Sequence, residues 1–262
     1  MEARPSIKLA HTSDVHLDGN ASSNPVNGFR NVAEAAFAYV VEQVLNERCD
    51  LFLVVGDLFD HARVKSHDIE FVCRQFDRLE CPIVVIPGNH DVHDEKSVWN
   101  RFDSADLGRN VHFLLEENGA SIELAELGVS LWGRAMAEHT PENRPLLGVP
   151  GKATQPWNIG LAHGQVVSNN TDFVSSTISE TEIAESGFDY LALGHVHVWQ
   201  DYKLGDTVAC YPGSPVKAFA TARGGYFAIV SLTNSGVLLE KLEVPEPESA
   251  DKPNYFHFAP GV

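Results

Sequence analysis

Apolar positions in this chain fall into short runs, and their rhythm changes between its two halves. Residues 7–14 (IKLAHTSD) read as a first strand that gives way to polar residues. Residues 30–48 are Ala-rich with apolar side chains on a broad stripe, the spacing of a helix. Residues 51–57 (LFLVVGD) are apolar and β-branched without alternation, which fits a strand buried on both faces. A helix over about 67–79 and a third apolar strand in 83–91 (IVVIPGNHD) complete a β-α-β-α-β order, the pattern of a layered α/β unit.

Strands dominate the second half, with candidates around 111–114, 121–125, 129–133, 157–162, 189–194, 207–210, 226–231 and 237–243. Ser179, three residues before Glu182, forms a capping box that starts one helix, and Gly187 supplies its stop. The Pro-rich stretch 141–156 reads as a surface loop. The expected fold is mixed α/β (α+β): a two-sheet β-sandwich flanked by helices, in a single domain over 1–262.

Composition narrows the picture. At 262 residues and 44% hydrophobic content the chain can bury a substantial core. A formal net charge of −17 argues against coating nucleic acid by charge alone, since such binding needs Lys and Arg to neutralise phosphates. Carboxylates gathered around divalent cations would offset part of that charge. Four cysteines without a C-x-x-C pair read as free thiols. The longest apolar runs are too short to span a bilayer, and the first 14 residues hold no signal-peptide core, so a soluble, cytoplasmic protein with no membrane partner is expected.

The apolar runs end alike: Asp14-Val15-His16, Gly56-Asp57, Gly88-Asn89-His90-Asp91, His163-Gly164 and Gly194-His195-Val196-His197. Ligands of α/β sheets gather beyond the carboxyl ends of strands, so these segments are expected to meet. In extended chain residues i and i+2 face the same way, which would aim Asp14 with His16, and His195 with His197, into one site. The donors Asp14, His16, Asp57, Asn89, His163, His195 and His197 are too many for one tetrahedral zinc. They suit two cations about 3.5–4 Å apart that share a carboxylate. Imidazole, carboxylate and amide donors without thiolate favour Mn, Fe, Zn or similar ions over Cu(I) or an iron–sulfur centre. His11 has the wrong parity to face this site, and His61, His67, His93, His112, His139 and His257 are expected on loops or helix faces as ordinary surface histidines.

As an ordered set these motifs resemble the calcineurin-like metallophosphoesterases, over nearly the whole chain. The resemblance implies a four-layer architecture. It also implies one divalent ion on Asp14, His16, Asp57 and His197, and a second on Asp57, Asn89, His163 and His195, with Asp57 as the bridge. Manganese is expected first, with Fe, Zn, Ni or Co as alternatives. His90 would be a catalytic group at the phosphate oxygen or leaving group, and Asp60 would orient it. Residues 11–19 (HTSDVHLDG), 56–60 (GDLFD), 190–197 (YLALGHVH) and 211–215 (YPGSP) resemble the SbcD-type DNA repair exonuclease branch. This implies a phosphoester substrate, DNA in particular, and an SMC-like ATPase partner, although neither a DNA-capping domain nor an ATPase-docking tail is evident.

The expected chemistry is attack on phosphorus by a hydroxide shared between the two cations, with His90 donating a proton to the leaving group. Tyr211 and the basic rim of Arg63, Lys65, Lys217 and Arg223 would bind substrate. The competing readings are a small-molecule phosphatase or cyclic-nucleotide phosphodiesterase, and a non-catalytic scaffold.

Overall fold

The structure is a computed structural model that describes residues 4–18, 25, 26, 28–102, 110–151, 154–168, 175–217 and 224–246. Along the chain come β1 (Ile7–Thr12), α1 (Val32–Asn46), β2 (Leu51–Val55), α2 (Ser66–Phe76), β3 (Ile83–Ile86), β4 (Val111–Phe113), β5 (Ala120–Leu124), β6 (Val129–Gly133) and β7 (Trp157–His163). Then follow β8 (Gln165–Val167), β9 (Thr177–Ser179), α3 (Glu180–Glu185), β10 (Tyr190–Gly194), β11 (Gln200–Leu204), β12 (Thr207–Tyr211), β13 (Tyr226–Thr233) and β14 (Gly236–Glu243). One sheet runs β14-β13-β1-β2-β3-β4 and the other β11-β12-β10-β7-β6-β5, while β8 and β9 form a separate two-stranded ribbon. Strands β1 to β4 are parallel, as are β6, β7, β10 and β12; β5, β11, β13 and β14 join antiparallel.

The unalternating sequence of β2 is explained by the layers. Leu51, Leu53 and Val55 enter the core between the two sheets, against residues such as Leu131, Ile159, Leu161 and Ala192. Phe52 and Val54 face the opposite way, into the core beneath α1 and α2, with Phe37, Val41, Val72 and Phe76. A third core packs Ala162, Leu191 and Leu193 against Ile183 of α3 and Phe188. The order is therefore helix, sheet, sheet, helix, a mixed α/β fold of four layers. Asn31 starts α1 by accepting a hydrogen bond from the Glu34 amide, and Ser179 starts α3 within a full capping box. No helix among the described residues is long and apolar enough to cross a membrane.

His11 follows Ile7 and Leu9 on the face of β1 that looks into the space between the sheets, as its parity requires. Its Nδ1 lies 2.7 Å from the Tyr190 hydroxyl on β10, so one polar contact crosses the apolar layer. Complete burial pushes its pKa down to about 3. The imidazole titrates near 6.5 in the unfolded chain, so folding binds fewer protons. Its contribution is intact above pH 6.5 and is lost progressively as the pH falls from there towards 3. At pH 5 the loss amounts to about 2 kcal/mol. Urea unfolding at pH 7.5 and pH 5.0 is expected to show His11→Gln losing about 2 kcal/mol less than the wild type over that interval. Equal losses would place the acid sensitivity elsewhere.

Candidate metal centre

Strands β1, β2, β3, β7 and β10 end at one edge of the sandwich, and their continuations bring seven donor side chains together. The turn that places them is left-handed. Asp14, His16, Asp57 and His195 have φ of 56°, 53°, 53° and 104°, a region that non-glycine residues rarely adopt and that collects at functional sites. The expected strand alternation of Asp14 with His16, and of His195 with His197, is therefore corrected: β1 stops at Thr12 and β10 at Gly194, and the ligand pairs lie beyond them. The ladder continues past the sheet in the amide bonds Asp14 to Gly56 O (3.0 Å), His16 to Asp57 O (3.0 Å) and Leu17 to Leu58 O (2.8 Å).

The donors separate into two groups. In the first, His16 Nε2 lies 3.2 Å from His197 Nε2, and His197 Nε2 lies 3.5 Å from Asp14 Oδ1. In the second, Asn89 Oδ1 lies 3.1 Å from His163 Nε2 and 2.9 Å from His195 Nδ1. Asp57 Oδ2 stands between them, 3.3 Å from His163 Nε2 and 3.9 Å from His16 Nε2. Two donors about 2.1 Å from one cation, at tetrahedral or octahedral angles, are separated by roughly 3.0–3.4 Å. Separations of 2.9–3.5 Å within the groups lie at or near that range and suit divalent cations, while the 3.9 Å from Asp57 Oδ2 to His16 Nε2 is wider. Among the described residues, three clusters have donor atoms within 4.8 Å of one another: Asp14, His16 and His197; Asp14, Asp57 and His163; and His16, Asp57 and His90.

Surrounding groups fix the donors. His163 Nδ1–H donates to Val55 O (3.0 Å) and His16 Nδ1–H to Asp60 Oδ1 (3.0 Å), which leaves each Nε2 to face the centre. Gly56, at φ +77°, lets the backbone pass His163, since a Cβ there would lie 2.0 Å from its Nδ1. His90 donates from Nδ1 to Asp60 O (3.0 Å), with Asp60 Oδ1 at 3.3 Å, and its ring packs edge-on against His16 at 4.6 Å. Asp60 thus serves two histidines, one more than the sequence implied.

Electrostatics follow from this crowding. Burial would raise the Asp57 carboxyl, but the facing charge and hydrogen bond of His163, with His16 and His90, hold it well below the usual carboxylate range. Burial opposes charge on His163 too, yet Asp57 lifts it to about 9. The hydrogen bond to Asp60 raises His90 to about 9, while burial lowers His195 to about 4 and also lowers His197. Cation binding requires the neutral imidazole and so competes with protons here.

Two contributors escaped the sequence. Asp91, fully buried, accepts from the amides of Gly88 (2.7 Å), Phe59 (3.1 Å) and Asp57 (3.2 Å), tying the ends of β2 and β3 together. Its signal was its place in Gly-Asn-His-Asp, which attracted attention only to its neighbours. His139, on the loop after β6, sits with its ring 5.7 Å from that of His195. His93 donates from Nδ1 to Leu115 O (2.8 Å) and has Nε2 3.2 Å from Asn100 Oδ1, and His112 lies within β4 rather than on a loop or helix.

The substrate candidates divide. Arg63 and Lys65 are exposed in the segment after Asp60. Lys217 is held by Glu246 in a surface ion pair. Arg223 lies outside the described residues. Tyr211 is corrected: it is fully buried, its hydroxyl donating to Gly164 O (2.5 Å) and accepting from the Val166 amide (2.9 Å). It braces the chain just past His163 and offers nothing to a ligand at the surface.

A two-sheet sandwich with imidazole, carboxylate and amide donors at its strand ends is the arrangement expected of a metallophosphoesterase. The chain belongs to the calcineurin-like phosphoesterase family, whose model matches residues 7–199. It is similar to the uncharacterized metallophosphoesterase YhaO of Bacillus subtilis, 27% identical over 89% of this chain and 59% of that protein. It is also similar to the DNA double-strand break repair protein Mre11 of Methanopyrus kandleri, 27% identical over 80% of this chain and 49% of that protein. The chain thus spans about half to three-fifths of the length of these relatives. A dimetal phosphatase from Danio rerio shares the fold, with a TM-score of 0.56 at 12% identity over 93% of this chain and 98% of that one.

Proposed function

We propose that this chain is a dimetal-dependent phosphodiesterase that acts on DNA as a nuclease. The observation that carries the reading is the division of seven donors into two groups at ligand-to-ligand separations, with Asp57 between them. Asp14, His16, Asp57 and His197 would hold one divalent ion and Asp57, Asn89, His163 and His195 the other, manganese first. Such ions supply an activated water at neutral pH and offset charge on the phosphoryl oxygens. His90, anchored through Nδ1 by Asp60, keeps Nε2 for the substrate and donates a proton to the departing oxygen. The Mre11 relatives are named for DNA repair, which supports a DNA substrate. Exposed Arg63 and Lys65 would meet its phosphates. An SMC-like ATPase as partner rests on the SbcD resemblance alone. Four free thiols suit the reducing cytoplasm.

One observation favours a small-molecule diester instead. Lys217 is already paired with Glu246, which thins the basic rim of a chain with a net charge of −17, and a probable cyclic nucleotide phosphodiesterase of Psychrobacter arcticus is 31% identical over 93 residues, 34% of this chain. The deciding experiment offers manganese-reconstituted protein end-labelled single- and double-stranded DNA, a cyclic nucleotide, a diester reporter and a monoester reporter side by side. Chelator-sensitive cleavage of DNA and of the diester reporter is expected. Activity confined to the monoester would sink the nuclease reading, and failure to bind any divalent ion would revive the scaffold. His90→Ala is expected to lower turnover by about 10²-fold or more while elemental analysis finds the metal content unchanged. Loss of metal in that variant would make His90 a ligand.

A further inference from the structure

His139 belongs to a loop that is fastened at both ends to segments following the metal donors. On one side the His93 amide donates to Met136 O (2.8 Å), three residues after His90. On the other, the Ser176 amide donates to Thr140 O (3.3 Å) and Asn143 Nδ2 donates to Ser176 Oγ (2.8 Å). Ser176 is itself buried in a left-handed conformation (φ 55°), and its carbonyl accepts from the Gln165 amide (2.9 Å), two residues past His163. These bonds hold an exposed histidine beside the centre, its ring at 68° to that of His195.

Two imidazoles that are not among the seven donors therefore flank the centre. His90 packs on His16, of the Asp14/His16/His197 group, and His139 packs on His195, of the Asn89/His163/His195 group. A phosphomonoester has one carbon-bearing oxygen and can engage one flank at a time. A phosphodiester has two, set apart around tetrahedral phosphorus, and can engage both. We infer that His139 is a specificity-determining residue that contacts the second ester arm of a phosphodiester, beside the donor group on which His90 does not pack. The inference rests on the phosphoesterase reading of the same centre.

The test compares wild type, His139→Ala and His139→Gln. Zinc-loaded proteins are titrated calorimetrically with diphenyl phosphate and phenyl phosphate, and manganese-loaded proteins are assayed on bis(p-nitrophenyl) phosphate and p-nitrophenyl phosphate. In His139→Ala the diester-to-monoester ratio of affinities, and of kcat/KM, is expected to fall about tenfold or more, through KM, with partial recovery in His139→Gln. Unchanged ratios, or equal losses on both esters as from a merely loosened loop, would overturn it. A wild type that turns over no ester would sink the hydrolase reading, while the titrations would still decide the role of His139.

Discussion

Asp57→Asn is expected to abolish chelator-sensitive hydrolysis and to weaken metal binding by about 10²–10³-fold, the equivalent of about 3–4 kcal/mol, as for removing one partner from a buried charge cluster. The residue is 1% exposed and both carboxylate oxygens are committed. Oδ1 accepts the His90 amide at 2.8 Å, and Oδ2 faces His163 and His16, one from each donor group. Asparagine keeps the shape but removes the negative charge that both groups share. With its carbonyl oxygen on the His90 N–H, its NH2 would face the imidazoles and offer no lone pair to a cation there. Metal content after dialysis, read beside turnover of a diester reporter, measures the effect. A variant with full metal occupancy and ordinary turnover would remove Asp57 from the centre.

Gly194→Ala is expected to act without touching a donor atom. A Cβ at Gly194 would lie 1.9 Å from Val55 O and 2.6 Å from His163 Nδ1. Val55 ends β2 in one sheet and Gly194 ends β10 in the other, so the added methyl has backbone on one side and the hydrogen bond between His163 and Val55 on the other. Neither can yield cheaply. Overpacking of this severity costs about 3 kcal/mol or more, which lowers the Tm of a domain this size by about 6–12 °C. Gly151→Ala serves as the control, because a Cβ there meets nothing within 4 Å. A Gly194→Ala melting curve that overlays the control would refute the close approach of the two sheets.

The layers were legible because burial on both faces leaves a plain mark, as in the unbroken 51–55 run. Polar edge strands leave a weaker one: β5 and β14 keep enough alternation to register, but β11 does not. β11, sequence QDYKL, sits at a sheet margin with three of its five residues exposed, and β8 and β9 are three residues each, too short for a period to register. The donor residues were legible as types and positions, yet their aim was misjudged: left-handed turns, invisible to a period-two argument, direct Asp14, His16 and His195. His139 had no local signature at all, since its place depends on bonds to His93 and Ser176, dozens of residues away. Tyr211 misled in a different way. It was expected to bind substrate, whereas its ring fills the last position of β12 at a fully buried strand end.

The origin of the donors bears on how the chain reaches its working form. Asp14, His16, Asp57 and Asn89 come from the first sheet, and His163, His195 and His197 from the second, and each donor group mixes the two. A folding intermediate with only one sheet built owns no complete group. Cations held by the complete groups would cross-link the two sheets and add stability in proportion to the logarithm of free metal. The centre would then act as a clasp between the two sheets as well as a site for substrate.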